Sequence, residues 1–342
     1  MKSNLNTVAV IGLGRMGMIH IANIVEHIPG VAIGGVYDPD PSRAESEPLQ
    51  RFNLRRYRSE DEIWKDPAVR AVCICTPTTT HLEYIRKAAR AGKHIFCEKP
   101  IGEDIAAIRK TLEDVAAAGV TLMIGFNRRF DDNFRRAAKA VLDGEIGTPQ
   151  VVKITSRDPH PPSLEFVKTS GGLFFDMSIH DWDMARFLMG SEVEWVFATG
   201  SNLVDPEIGR LGDIDTAAAV LRFAGGGIAV IDNSRQAVYG YDQRIEVFGS
   251  RGSVAVGNQP TNTAWISTAE GIRHDPIPHF FINRYMQSYR DELRLFFDSL
   301  EHGSPPPVSG HDALEAVKIA RAALLSHREN RPVSLDEVDP GK

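Results

Sequence analysis

The sequence predicts an α/β Rossmann domain, a doubly wound parallel sheet, followed by an α+β domain built on a mostly antiparallel sheet. Three observations carry this expectation. Up to about residue 125, short and continuously apolar segments alternate with amphipathic helical ones, the pattern of a parallel sheet covered on both faces. The first apolar segment runs straight into Gly12-Leu13-Gly14-Arg15-Met16-Gly17, with a helical pattern behind it. After Phe126 the pattern changes to successive β segments with partial alternation and few helices between them.

In order, strands are expected at 7–11, 31–37, 69–75, 94–97 and 120–124, with helices at 19–27, 81–91 and 104–118. Right-handed crossovers then wind the sheet on both sides. A helix at 131–142 opens the second part. Strands follow at 150–156, 193–200, 216–223, 228–234, 244–248, 253–256 and 264–268, with Gly225–Gly227 as a hairpin turn. The insertion 169–190 carries a helix, and helices at 282–302 and 311–328 close the chain around the stiff linker Ser304–Pro307. Ser309 and Asp312 are spaced as a capping box. The expected domains are 1–126 and 127–342, with the last helix folding back on the first domain.

The composition excludes several classes. With 342 residues the chain is long enough for about two domains. A formal charge of −6 without a basic block lacks the footprint of phosphate-backbone binding, so nucleic acid is not expected as a partner. No apolar run approaches the ~20 residues that span a bilayer, so no membrane partner is expected either. Lys2 and the short apolar stretch 8–13 are not followed by a small-residue cleavage site, which argues against a signal peptide. Cys73, Cys75 and Cys97 fall in buried-strand patterns and cannot all pair with one another. This usage points to a reducing, cytoplasmic setting.

The glycine loop has the context its chemistry needs. Gly12 makes the tight turn, Gly14 lets backbone approach a pyrophosphate, and Gly17 lets helix pack on strand. The helix start, with Arg15 and Met16, offers free N–H groups and the positive dipole end to that anion. The second strand ends at Asp38, about 20 residues on, where a carboxylate accepts from ribose hydroxyls and repels a 2′-phosphate. NAD is therefore favoured over NADP, although Arg43 nearby could offset a phosphate charge.

In such sheets ligands bind beyond the carboxyl ends of the strands. Cys75-Thr76-Pro77 with His81, and Glu98-Lys99-Pro100, stand at two such ends. Thr76, Pro77, His81, Glu98 and Lys99 thus join the loop residues and Asp38 as candidate cofactor contacts. Lys99 can hold a hydroxyl or relay a proton; the plain alternative is a solvated turn residue. Asp176 and His180 are spaced i,i+4 on an expected single helix, where a carboxylate orients an imidazole and favours its protonated form. Two possible ligands without a clear third make a poor zinc site, and no metal is expected.

Together these motifs resemble the Gfo/Idh/MocA oxidoreductase family over nearly the whole chain. The finer match, in 125–130, 156–159, 171–188 and 237–244, is to its inositol 2-dehydrogenase branch. The resemblance implies Lys99, Asp176 and His180 as the catalytic group, and Asn127, Arg129, Asp158 and Tyr239 as substrate contacts. It implies NAD-dependent oxidation of a cyclitol secondary alcohol, myo-inositol to 2-keto-myo-inositol, by a homotetramer joined through the open sheets. Competing readings are a dehydrogenase of another sugar or polyol (scyllo-inositol, an aldose, an anhydrosugar), an NAD-dependent glycoside hydrolase, and a non-catalytic NAD-sensing regulator.

Overall fold

The computed structural model describes residues 6–43 and 47–340; Lys2 lies outside them. The chain divides into two compact units, Met1–Phe130 with Gln287–Glu315, and Asp131–Met286 with Ala316–Lys342. Assigning everything after residue 126 to the second domain therefore misses 287–315. That segment groups with the first unit because its apolar face packs there: the Phe296 ring lies 5.9 Å from that of Phe96, and both are fully buried.

The first unit begins with β1 (Asn6–Ile11), α1 (Arg15–His27), β2 (Val31–Tyr37), α2 (Glu47–Phe52) and α3 (Glu60–Lys65). It continues through β3 (Ala71–Ile74), α4 (Thr78–Arg90), β4 (His94–Glu98), α5 (Ile105–Ala118) and β5 (Leu122–Gly125), with a 3-10 turn at Asn127–Phe130. The sheet is parallel throughout in the order β2-β1-β3-β4-β5. The expected Rossmann strands are all present, and every residue of β3 and β5 is buried. Sheets buried on both faces read as apolar runs rather than alternating ones, which is why these short strands were visible.

The second unit contains α6 (Asp132–Leu142), β6 (Pro149–Arg157), α7 (Leu164–Val167), α8 (Leu173–Asp176), α9 (Ile179–Met189), β7 (Val193–Ser201) and α10 (Pro206–Arg210). There follow β8 (Thr216–Phe223), β9 (Ile228–Ser234), β10 (Asp242–Gly249), β11 (Gly252–Val256), β12 (Trp265–Thr268) and β13 (Gly271–His274). Helices α11 (Phe281–His302) and α12 (Gly310–Glu329) are each divided between the units, and β14 (Val333–Ser334) and α13 (Leu335–Val338) end the chain. The seven-stranded sheet has the order β11-β10-β6-β9-β8-β7-β14; only β6 and β9 pair in parallel. Period-two burial marks its two faces. Ala229, Ile231 and Asn233 are buried, whereas Val230 is 41% and, on β10, Phe248 is 48% exposed. The Gly225–Gly227 turn closes the β8–β9 hairpin, with Phe223 N–H donating to the Gly227 carbonyl at 3.0 Å.

Candidate active site

In the first unit the carboxyl ends of β1, β2 and β3 are stitched together by main chain. Gly12 N–H donates to the Tyr37 carbonyl at 2.8 Å, and Cys75 N–H to the Ile11 carbonyl at 2.7 Å. Gly12 has φ +94, and a Cβ there would sit 2.6 Å from the Cys75 carbonyl carbon. At Gly17 a Cβ would fall 1.9 Å from the Gly12 carbonyl oxygen, so only glycine closes this strand–helix turn. Gly14 differs: a Cβ there would meet nothing nearer than Arg43 Nη1 at 3.5 Å. The protein itself does not demand glycine at 14. A Cβ there would instead fill the open cradle beside the start of α1, where no acidic side chain occupies the first turn. That is the fit a pyrophosphate needs.

Asp38 is fixed by two backbone donors. Leu13 N–H reaches its Oδ2 at 2.7 Å and Asp40 N–H its Oδ1 at 2.9 Å. Arg43 stands 4.0 Å from Asp38 and 3.7 Å from Asp40, so its charge is shared between two carboxylates. The local balance stays negative, which suits a ribose diol and disfavours a 2′-phosphate.

Thr76, Pro77, His81, Glu98 and Lys99 gather at the ends of β3 and β4. The fully buried His81 spans both loops, its Nδ1 2.8 Å from the Pro100 carbonyl and its Nε2 2.8 Å from the Thr76 carbonyl. Burial lowers its pKa against the pull of those two carbonyls. The Lys99–Pro100 peptide is cis, and Lys99 is half-buried. Glu98, its neighbour in the chain, belongs to a buried trio. His20 Nε2 is 2.6 Å from Glu98 Oε1, and Glu292 of α11, fully buried, offers a carboxylate atom within 4.8 Å of the other two residues. Burial, then Glu98, drives the Glu292 pKa well above the usual carboxylate range.

Asn127 and Arg129 sit in the 3-10 turn after β5, both buried. Arg129 Nη2 donates to Asp312 Oδ1 at 2.9 Å. Asp312 completes the expected capping box: Ser309 N–H reaches its Oδ2 at 2.8 Å, and its own N–H donates to Ser309 Oγ at 3.2 Å.

In the second unit, Asp176 and His180 do not share one regular helix. Asp176 ends α8 and His180 lies in the first turn of α9. At the junction Ser178 N–H bonds the Leu173 carbonyl five residues back, at 3.0 Å, and this wider turn breaks the i,i+4 repeat. The α9 start is pinned by the fully buried Asp181, which accepts from Ser156 Oγ at 2.6 Å and Asn233 Nδ2 at 2.8 Å. With Asp181 and Trp182 buried, His180 is left half-buried.

Asp176 and Asp158 converge on a residue that no motif announced. Arg235, just past β9, donates from Nη1 to Asp176 Oδ2 at 2.9 Å and stands 3.6 Å from Asp158 Oδ2. Asp213 anchors the other end of α8 by accepting from Leu173 N–H at 3.0 Å. Tyr239 is 48% exposed; its hydroxyl donates to Asp242 Oδ2 at 2.6 Å and accepts from Arg157 at 3.3 Å. The three cysteines are free thiols, their pKa values raised chiefly by burial. Among the described residues no helix is long and apolar enough to cross a membrane.

Residues 6–126 match the description "Oxidoreductase family, NAD-binding Rossmann fold", and residues 134–255 match "GFO/IDH/MocA C-terminal domain". The chain is 46% identical to a myo-inositol 2-dehydrogenase of Thermotoga maritima, covering 97% of this chain and 99% of that one. A myo-inositol dehydrogenase structure from Corynebacterium glutamicum superposes with a TM-score of 0.91 at 36% identity, covering 96% and 98% of the two chains. A scyllo-inositol dehydrogenase from Lactobacillus casei, solved with NAD(H) and scyllo-inositol, gives 0.90 at 31% identity, covering 96% and 99%.

Proposed function

The chain belongs to the Gfo/Idh/MocA oxidoreductase family, and on that premise we propose that it oxidises a secondary ring hydroxyl of myo-inositol to give 2-keto-myo-inositol. The observation that carries this reading is near-full-length likeness to inositol dehydrogenases in a chain where Lys99, Asp176 and His180 all stand. Bound NAD supplies the hydride acceptor, held by the Gly12–Gly17 turn, the α1 start and Asp38.

In this reading His180 takes the hydroxyl proton as general base. Asp176 orients His180 and balances the positive charge it gains. Lys99 donates a hydrogen bond to the reacting oxygen and stabilises developing alkoxide charge. Asn127, Arg129, Asp158 and Tyr239 are proposed to contact ring hydroxyls. Three of the four are already engaged by protein partners, Arg129 by Asp312, Tyr239 by Asp242 and Asp158 by Arg235. The exposed apolar positions Val230 and Phe248 on the open sheet face support association into a homotetramer. The free thiols, of which Cys73 and Cys97 are buried, accord with a reducing, cytoplasmic setting.

The test is a substrate panel of myo-inositol, scyllo-inositol, glucose and an anhydrosugar, each with NAD⁺ and NADP⁺. The highest kcat/KM is expected for myo-inositol with NAD⁺. Reduction of NAD⁺ by the aldose or the anhydrosugar, with none from either inositol, would overturn the substrate assignment.

A further inference from the structure

Arg235 is one of the two most buried cations of the second unit, only 2% exposed. Its backbone is held at the sheet end: its N–H donates to the Asp215 carbonyl at 2.7 Å. Flanking main chain ties the same turn to Asp158, whose N–H donates to the Ser234 carbonyl at 2.9 Å and whose carbonyl accepts from Ala237 N–H at 2.6 Å. The guanidinium therefore reaches Asp176 and Asp158 from a turn already locked onto one of them. Its Nε and Nη2 are buried without a hydrogen-bond partner among the described residues, so its directional contact runs through Nη1 alone.

Burying a cation costs several kcal/mol unless anions repay it, and leaving one uncompensated is worse. Burial by itself would lower the Arg235 pKa. The charges of Asp176, Asp158 and Asp213 outweigh it, and the guanidinium stays charged. These carboxylates come from the end of α8, the end of β6 and the segment between α10 and β8. An ion pair this deep is poor value as a stability device, because apolar packing would serve as well. What it does supply is a carboxylate held in one orientation, beside a buried positive charge, at the end of a four-residue helix, α8.

We propose that Arg235 is a positioning residue of the oxidation, holding Asp176 ionised and aimed and tying it to Asp158 as one rigid anionic pair. This rests on the reading of Asp176 as catalytic. Arg235 acts through Asp176, and the misplacement of a catalytic group by 1 Å can cost ~10²-fold in rate.

The test compares Arg235→Ala, Arg235→Lys, Asp176→Asn and the double variant Arg235→Ala/Asp176→Asn in the full chain, with NADH affinity as a folding control. Arg235→Ala is expected to lower kcat about 10²-fold with little change in NADH affinity. The acid limb of its pH–rate profile moves to higher pH, because without the nearby cation Asp176 and the His180 base it orients both take up a proton more readily. Arg235→Lys keeps the charge and recovers at least tenfold over Ala, with the acid limb back in place. In the double variant the Arg235 change adds little to the Asp176 loss. If Arg235→Ala does not fold, Arg235→Gln carries the same comparison. An unmoved acid limb with Lys no better than Ala, or losses that simply multiply in the double variant, overturns the positioning role. A crippled Asp176→Asn beside an unaffected Arg235→Ala sinks this proposal alone; a fully active Asp176→Asn sinks the catalytic reading and this proposal with it.

Discussion

Asp38 shows how much one side chain settles. Its two oxygens are oriented by Leu13 and Asp40 N–H groups, and Arg43 is drawn toward Asp38 and Asp40. Replacing it by Asn keeps an acceptor for Leu13 and removes the charge that repels a 2′-phosphate. The ratio of kcat/KM for NADP⁺ to that for NAD⁺ is expected to rise about tenfold in Asp38→Asn, the equivalent of roughly 1.4 kcal/mol; an unchanged ratio would remove Asp38 from cofactor selection. Glu292 makes a different claim. Its folded pKa lies well above the unfolded value of about 4.5, so it binds its proton more tightly when folded. The stability it permits is complete below that unfolded pKa and is lost as pH rises toward and through the folded one. Glu292→Gln mimics the neutral acid and escapes this loss. Its thermal midpoint should gain on the wild type steadily from about pH 5 upward, and parallel curves would show that Glu292 does not titrate on unfolding. Glycine loop, Asp38 and the Glu98–Lys99–Pro100 turn were legible because local spacing and strand context define them. Arg235 and Glu292 were not, since no local spacing sets either apart and their partners lie dozens of residues or more away.

At the scale of elements, α12 begins with a capping box that sequence spacing identified and an ion pair that it could not. Burial opposes ionisation of Asp312, but the Arg129 charge and the Ser309 hydrogen bonds win and bring its pKa down to about 2. A depressed folded pKa stabilises above the unfolded value of 3.8, and that contribution disappears as pH falls toward 2. Asp312→Asn keeps a cap acceptor and loses the charge. It should unfold more easily by roughly 1–2 kcal/mol at neutral pH, after allowance for solvent at a partly exposed pair. The gap between variant and wild type closes in acid; a gap independent of pH would mean the cap geometry matters and the charge does not. The α8–α9 junction teaches the opposite lesson. The Asp176–His180 spacing read as one helix face, yet the wide turn at Ser178 and the buried Asp181 network set the two residues on separate elements. Periodicity reports which residues are apolar; it does not report where a polar network stops a helix.

For the whole molecule, the kind of each sheet followed from alternation: apolar runs for the covered parallel sheet, partial alternation for the mostly antiparallel one. The grouping of 287–315 with the first unit did not follow, because a long amphipathic helix does not say which sheet its apolar face will cover. The central claim, hydride transfer from an inositol carbon to NAD, is tested most directly by isotope. With myo-inositol deuterated at C2 and NAD⁺, the enzyme should form NADH carrying the deuterium on the nicotinamide ring, together with 2-keto-myo-inositol. Unlabelled NADH, or no NADH from that substrate with the folded, NAD-bound protein, would contradict it.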